Sequence, residues 1–181
     1  MTTNGVEIRE AITEDLEQIE QILSVCKRDL EQKGIYQWND QYPNTAYFLE
    51  KLNHRELYVI EHEDEIAGSF VLDEHAMPEW GEVKWRYEKG KYLLLHALFI
   101  NPLIQGKGLG KRVLDFFEET AVQGHYDGIR LDVFSKNEAA LKFYTKRGFE
   151  HRGDIILPFK PVDNQIYACY EKILRISSLQ S

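Results

Sequence analysis

Tyr92-Leu93-Leu94-Leu95-His96-Ala97-Leu98-Phe99-Ile100 is the stretch on which the fold turns. A run this apolar reads as a strand buried on both faces, because a strand with one wet face would alternate apolar with polar. Asn101-Pro102 ends it. The glycine-rich Gln105-Gly106-Lys107-Gly108-Leu109-Gly110-Lys111 then opens a helix in which Leu109, Val113, Leu114, Phe116, Phe117 and Ala121 recur at helical spacing up to Gly124. Residues 129–134 read as another strand, 137–147 as a helix stopped by Gly148, and 149–157 and 165–173 as two last strands. Strand, helix, strand, helix over 91–147 calls for a central sheet covered on both faces. The expected class is α/β or α+β with a mixed sheet.

Toward the N-terminus, Val6 and Ile8 alternate with Glu7 and Arg9 as in a short strand. Thr13 offers an N-cap ahead of Glu14, Asp15 and Glu17, where negative charge suits a helix dipole. Leu16, Ile19, Ile22, Leu23, Cys26 and Leu30 follow at helical spacing until Gly34. A loop at 35–43 concentrates Tyr36, Trp38 and Tyr42. Asn44 or Thr45 then caps a short helix through Leu52. Strands at 57–61 and 66–72 flank the acidic turn Glu63-Asp64-Glu65, and 73–91, with Pro78, Trp80 and Trp85, reads as a long connection or lid.

The composition narrows the function. At 181 residues with 43% hydrophobic content, the chain supports one domain over 1–181, and no repeat or linker marks a boundary. A formal charge of −8 argues against capture of nucleic acid or anionic lipid. Two cysteines, Cys26 and Cys169, fit a reducing compartment, and no signal peptide or membrane span is apparent, so a cytoplasmic protein is expected. The histidines at 54, 62, 75, 96, 125 and 151 form no ligand-spaced cluster, so no metal is expected.

The glycine turn can be read in several ways. A strand followed by glycines at a helix start is suited to anions, because backbone N–H groups and the helix dipole converge there. A P-loop is excluded, since Gly106 and Gly110 enclose three residues and Arg112 stands where Ser or Thr would be. A dinucleotide fingerprint fails at Lys111, which takes the place of its third glycine. Asp132 lies at about the distance of a ribose-binding acid, but falls inside a strand and is set aside. A mere tight corner is the remaining structural reading.

Gln105-x-x-Gly108-x-Gly110 after a strand, then Asn137, then Phe143-Tyr144-Thr145-Lys146-Arg147-Gly148-Phe149 resembles the GNAT superfamily of acyl-CoA-dependent N-acyltransferases. The resemblance covers about 93–149, with element order alone agreeing before it. It implies a mostly antiparallel sheet whose fourth and fifth strands splay, helices on both faces, and acetyl-CoA as cosubstrate. By that resemblance the main chain of Leu98, Phe99 and Ile100 would pair with the pantetheine arm, and an N–H near Phe99 would polarise the thioester carbonyl. Gln105, Gly106, Lys107, Gly108, Leu109, Gly110 and Lys111 would hold pyrophosphate, Asn137 would bond the arm, and Tyr144 would be the general acid toward sulfur.

The reaction implied is direct attack of an amine on acetyl-CoA through a tetrahedral intermediate, and the amine must first lose a proton. His96, the one histidine in its strand, is the candidate base on the face of Leu94 and Leu98, against the alternative of a satisfied core histidine; Glu74, Glu79 and Glu82 are reserves. Tyr36, Trp38, Tyr42, Trp80 and Trp85 are candidate walls for the acceptor, against plain loop packing. The expected partners are acetyl-CoA and a small primary amine. A homodimer is allowed, with strands in 129–173 offering edges. Acetylation of a protein N-terminus or lysine, and a non-catalytic acyl-CoA-binding regulator, are the alternatives.

Overall fold

The computed structural model describes residues 5–104 and 106–175. Seven strands, β1 (Val6–Glu10), β2 (Leu57–His62), β3 (Glu65–Asp73), β4 (Tyr92–Ile100), β5 (Gly128–Phe134), β6 (Glu150–Ile156) and β7 (Ile166–Ile173), stand in the order β1-β2-β3-β4-β5-β7-β6. Four helices accompany them: α1 (Leu16–Gln32), α2 (Thr45–Asn53), α3 (Leu109–Gln123) and α4 (Glu138–Lys146). The β1–β2, β2–β3, β5–β7 and β6–β7 pairings are antiparallel and β4–β5 is parallel, so the mixed α/β class holds. No helix among the described residues is long and apolar enough to cross a membrane.

The chain condenses into two compact units. One holds residues through Leu72 together with His96–Phe117, the other Asp73–Leu95 together with residues from Glu118 onward. In the first, α1 buries Ile19, Ile22, Leu23 and Cys26 in one cluster with Phe48, Leu57, Val59, Ile66, Val71 and Phe99. Tyr58, Phe70 and Phe116 form a separate aromatic group in the same unit, Tyr58 stacking on Phe70 at 5.4 Å. The turn between β2 and β3 consists of Glu63 and Asp64, both at positive φ (52° and 65°), the backbone of a two-residue hairpin.

The start of α1 differs from the expected cap. Residues Thr13–Asp15 form a 3₁₀ turn and the α-helix begins at Leu16. Asp15, not Thr13, organises this end: its carboxylate accepts the Ile12 N–H at 2.8 Å and both terminal nitrogens of Arg9 at 2.8 and 3.0 Å. Burial alone would raise the Asp15 carboxyl, yet the Arg9 guanidinium and the Ile12 amide outweigh it and hold the group below its usual range. Charge-assisted, two-pronged bonding outcompetes a neutral hydroxyl at this site.

β4 changes character midway. Its parallel ladder with β5 spans Tyr92↔Gly128 to Leu95↔Leu131. Two residues later, Ala97 adopts a left-handed backbone (φ 48°), rare without glycine. The alternation expected to put His96 and Leu98 on one face therefore does not carry through Ala97. Gly68 of β3 accommodates the distorted segment: a Cβ there would collide with the Phe99 carbonyl oxygen and press within 3.1 Å of the Ile100 Cα.

In the second unit β5 lies between β4 and β7, and β7 between β5 and β6. The edges expected for a homodimer in 129–173 therefore shrink to β6, because pairing on both sides uses the backbone groups of β5 and β7. The Lys172 ammonium donates to Glu118 Oε1 at 2.6 Å and to the Arg147 carbonyl at 3.0 Å, tying β7 to the C-terminal end of α4.

Gly68→Ala should lower stability by about 1–3 kcal/mol, because backbone rather than a movable side chain fills the space. Chemical denaturation measures this, and a wild-type midpoint would show that β4 yields more easily than its contacts indicate.

Candidate active site

In the first unit, β4 leads through a 3₁₀ turn (Pro102–Ile104) toward α3. Asn101 fixes the exit: its N–H donates to the Ala67 carbonyl at 2.7 Å, and its Oδ1 accepts the Leu103 N–H at 3.0 Å. Gly106 and Gly108 then take left-handed backbones, φ 84° and 77°. Among the described residues, no atom beyond the glycine itself and its chain neighbours lies within 4 Å of where either would carry a Cβ, so the turn presents bare backbone to open space. Alternating left-handed residues ahead of a helix make a concavity suited to phosphate, and this fits the diphosphate of CoA. Leu109 is buried and anchors the helix, Gly110 is half-buried, and Lys107 is exposed. Lys111 pairs with Asp115 at 3.0 Å. Gln105 lies outside the described residues.

The tail of β4 is only partly available to a ligand. Phe99 is in the core, edge-on to Trp38 at 6.0 Å and Phe48 at 6.2 Å, while Leu98 and Ile100 are half-buried. The Cys26 thiol donates to the Ile100 carbonyl at 3.2 Å, and burial pushes that thiol up to about 12. His96 is buried at the head of this segment. Of the expected acceptor walls here, Trp38 packs partly on the core, Tyr42 meets Tyr47 edge-on at 4.9 Å, and Tyr36 faces outward, 47% exposed.

In the second unit, α4 is capped by Asn137, whose side-chain oxygen accepts the Ala140 N–H at 3.2 Å. The residue expected to meet the pantetheine arm thus also caps the helix through its side-chain oxygen. Tyr144 is buried on α4, edge-on to Phe143 at 5.4 Å and Phe149 at 5.7 Å. Burial first, and the charge of Asp132 second, raise its phenol above the ordinary tyrosine range. Both effects favour the protonated phenol.

Trp80 and Trp85 come together at 5.4 Å. The Trp80 indole N–H donates to Asp132 Oδ2 at 3.0 Å, and that of Trp85 to the Trp80 carbonyl at 3.1 Å. Both line a cavity of about 810 Å³ together with Glu82, Lys84, Tyr92 and Arg130. Among the reserve acids, Glu82 reaches the cavity, and Glu74 lines it too while accepting the Tyr126 hydroxyl at 2.5 Å.

The 73–91 connection is fastened. Glu171, 1% exposed on β7, accepts the Arg86 N–H at 2.8 Å and Arg130 Nε at 3.2 Å, and forms an ion pair with Arg152 Nε at 3.0 Å. Arg130 donates onward to the Tyr87 carbonyl at 3.0 Å, its guanidinium 3.4 Å from the Tyr92 ring centre and 4.2 Å from that of Trp85. The segment read as a long connection or lid is held against β5 and β7.

Sequence reading missed Lys160 and set Asp132 aside. Lys160, between β6 and β7, is 5% exposed, with its Nζ 5.1 Å from the Tyr167 ring centre. Burial lowers its amine to about 8, and the charge of Asp132 limits the fall. An acid within a buried strand, and a lysine enclosed by Pro158-Phe159 and Pro161, are the signals that point to them.

The model of the Acetyltransferase (GNAT) family matches residues 16–149. Among curated proteins, an uncharacterised N-acetyltransferase of Bacillus subtilis, YesJ, is 28% identical over 148 residues, covering 79% of this chain and 81% of that protein. A GNAT-family acetyltransferase from Streptococcus agalactiae superposes with a TM-score of 0.78 at 20% identity, over 97% of this chain and 99% of its own. Naa50 of Arabidopsis thaliana, solved with the bisubstrate analogue CoA-Ac-MVNAL, superposes at 0.65 and 18% identity, over 94% and 99%.

Glu171→Ala should cost about 3–5 kcal/mol, because it leaves Arg130 buried without its counter-charge. Thermal or denaturant unfolding reads this, and a loss under about 1 kcal/mol would mean that solvent already screens the cluster.

Proposed function

Because the chain belongs to the GNAT acetyltransferase family and is an acetyl-CoA-dependent acyltransferase, we propose that its acceptor is a primary amine on a small molecule, attacking directly. The observation that carries the small acceptor is the cavity of about 810 Å³, walled by Trp80 and Trp85 under a connection fastened through Glu171. Aromatic faces and partly apolar walls suit a compact amine. A peptide would ask for a groove along which backbone could lie.

Each unit contributes groups to this reading. In the first, the main chain of 98–100 receives the pantetheine arm, and the turn with Gly106 and Gly108, reinforced by Lys107 and Lys111, takes the pyrophosphate. Tyr36, Trp38 and Tyr42 remain candidate acceptor contacts of this unit, Tyr36 being the exposed one. In the second, Asn137 sets the start of α4, and Tyr144 gives its proton to the departing sulfur. Acetyl-CoA supplies an acyl group already activated as a thioester. A phenol kept protonated by burial is suited to this step, since thiolate expulsion gains from a nearby acid.

Thiol release from acetyl-CoA, followed against a panel of amines, amino acids, polyamines and peptides, tests the proposal. Small amines should drive release, and Tyr144→Phe should lower kcat by about 10²–10⁴-fold while acetyl-CoA affinity stays unchanged. Since the Tyr144 phenol keeps its proton beyond the ordinary tyrosine range, this residue should introduce no decline in rate as pH rises to about 9. Release driven by peptides alone would move the acceptor to proteins, and acetyl-CoA binding without release would favour a sensor.

A further inference from the structure

The C-terminal half of β5 carries a polar cluster that the assignments above leave without a role. Asp132 is the first residue of β5 beyond the last parallel rung, Leu95↔Leu131. It stands opposite Cys169 of β7, on the face that strand alternation gives to Arg130 and Phe134. Trp80, a wall of the cavity, donates its indole N–H to the Asp132 carboxylate at 3.0 Å. Lys160 approaches the same cluster from the β6–β7 connection. Its ammonium lies 5.1 Å from the centre of the Tyr167 ring, and that ring packs on Phe134 at 5.5 Å.

We infer that Asp132 and Lys160 form the acceptor-side proton site of the transfer: the Asp132 carboxylate docks the acceptor's ammonium, and the Lys160 amine takes its proton. This rests on the acetyl-transfer reading above. An amine acceptor arrives protonated at neutral pH, and the half-buried Asp132 carboxylate attracts it more strongly than one in open water. An ordinary lysine could not relieve it of a proton. Lys160 can, because burial brings its amine down to about 8, leaving a substantial neutral fraction near neutral pH. The groups around the pair are Trp80 from the 3₁₀ turn Pro78–Glu82, Tyr144 from α4, Cys169 from β7 with Asp154 of β6 acting on it, and the rings of Phe159 and Tyr167.

The protons balance. The Lys160 lone pair takes one proton from the acceptor ammonium, whose N–H pair stays on nitrogen and forms the C–N bond to the acetyl carbon. The C–S bond breaks with its electrons on sulfur, and Tyr144 protonates that sulfur. The remaining excess proton on nitrogen returns to the Tyr144 oxygen through water. Lys160 sheds its own proton to solvent, so each turnover releases one proton.

Two measurements on this chain test the inference. With 13Cε-labelled lysine, Lys160 should titrate near 8 by NMR, and in Asp132→Asn it should titrate lower, because a carboxylate that favours the ammonium is gone. With the most active amine of the panel, wild-type kcat/KM should rise with pH through a limb near 8. Asp132→Asn and Lys160→Met should each lower the amine kcat/KM by about 10²–10⁴-fold, with acetyl-CoA affinity unchanged. Lys160→Arg keeps the charge but never yields a free lone pair, so it should match Lys160→Met in lost activity and in loss of the limb. Folded variants within about threefold of wild type overturn the inference, as does a limb that survives Lys160→Met and vanishes in His96→Ala. A wild type that no amine drives overturns the transfer reading and this inference together, whereas an active wild type with indifferent Asp132 and Lys160 variants overturns this inference alone.

Discussion

One buried carboxylate organises the second unit. Glu171 has almost no solvent around it, and Arg130, Arg152 and the Arg86 amide converge on it. Each partner comes from a different element: β5, β6 and the 73–91 connection. Arg130 extends the network to the Tyr87 carbonyl and to two aromatic faces. Nineteen residues without a hydrophobic period thereby acquire one position. Trp80 and Trp85 owe their placement to this, and so do the cavity they line and the hydrogen bond to Asp132. A network this dry contributes more to uniqueness of structure than to net stability, because desolvation cancels much of the Coulombic gain.

In the first unit the comparable constraint is steric. Ala97 holds a left-handed backbone that only its surroundings can impose, and the bare α-carbon of Gly68 leaves room for the Phe99 carbonyl beside it. The strand thereby leaves its regular path just past the point where its ladder with β5 stops. Backbone groups not engaged in a ladder are what an extended ligand arm requires.

The elements were legible wherever a local physical rule decides them. An unbroken apolar run marked β4, the glycines marked the turn before α3, and the Asn44-Thr45 pair marked the start of α2, with Asn44 the side-chain cap. The departures arise where the deciding partner is distant or the residue type is misleading. Alanine gives no warning of a left-handed backbone at 97. Asp15 displaces Thr13 because Arg9 on the neighbouring strand reaches it. β7 inserts between β5 and β6, and strand order is not written in any local pattern. Asp132 looked like an isolated strand acid because Trp80 lies 52 residues away in the chain.

Both cysteines of the chain are buried, and burial raises both thiols, Cys26 while it donates to the Ile100 carbonyl. Disulfide exchange requires a thiolate. An enzyme that liberates CoA thiol in every turnover works beside a reagent able, once oxidised, to form mixed disulfides with exposed protein thiols. By keeping its own sulfur protonated and out of reach, this chain remains inert toward oxidised forms of its own product.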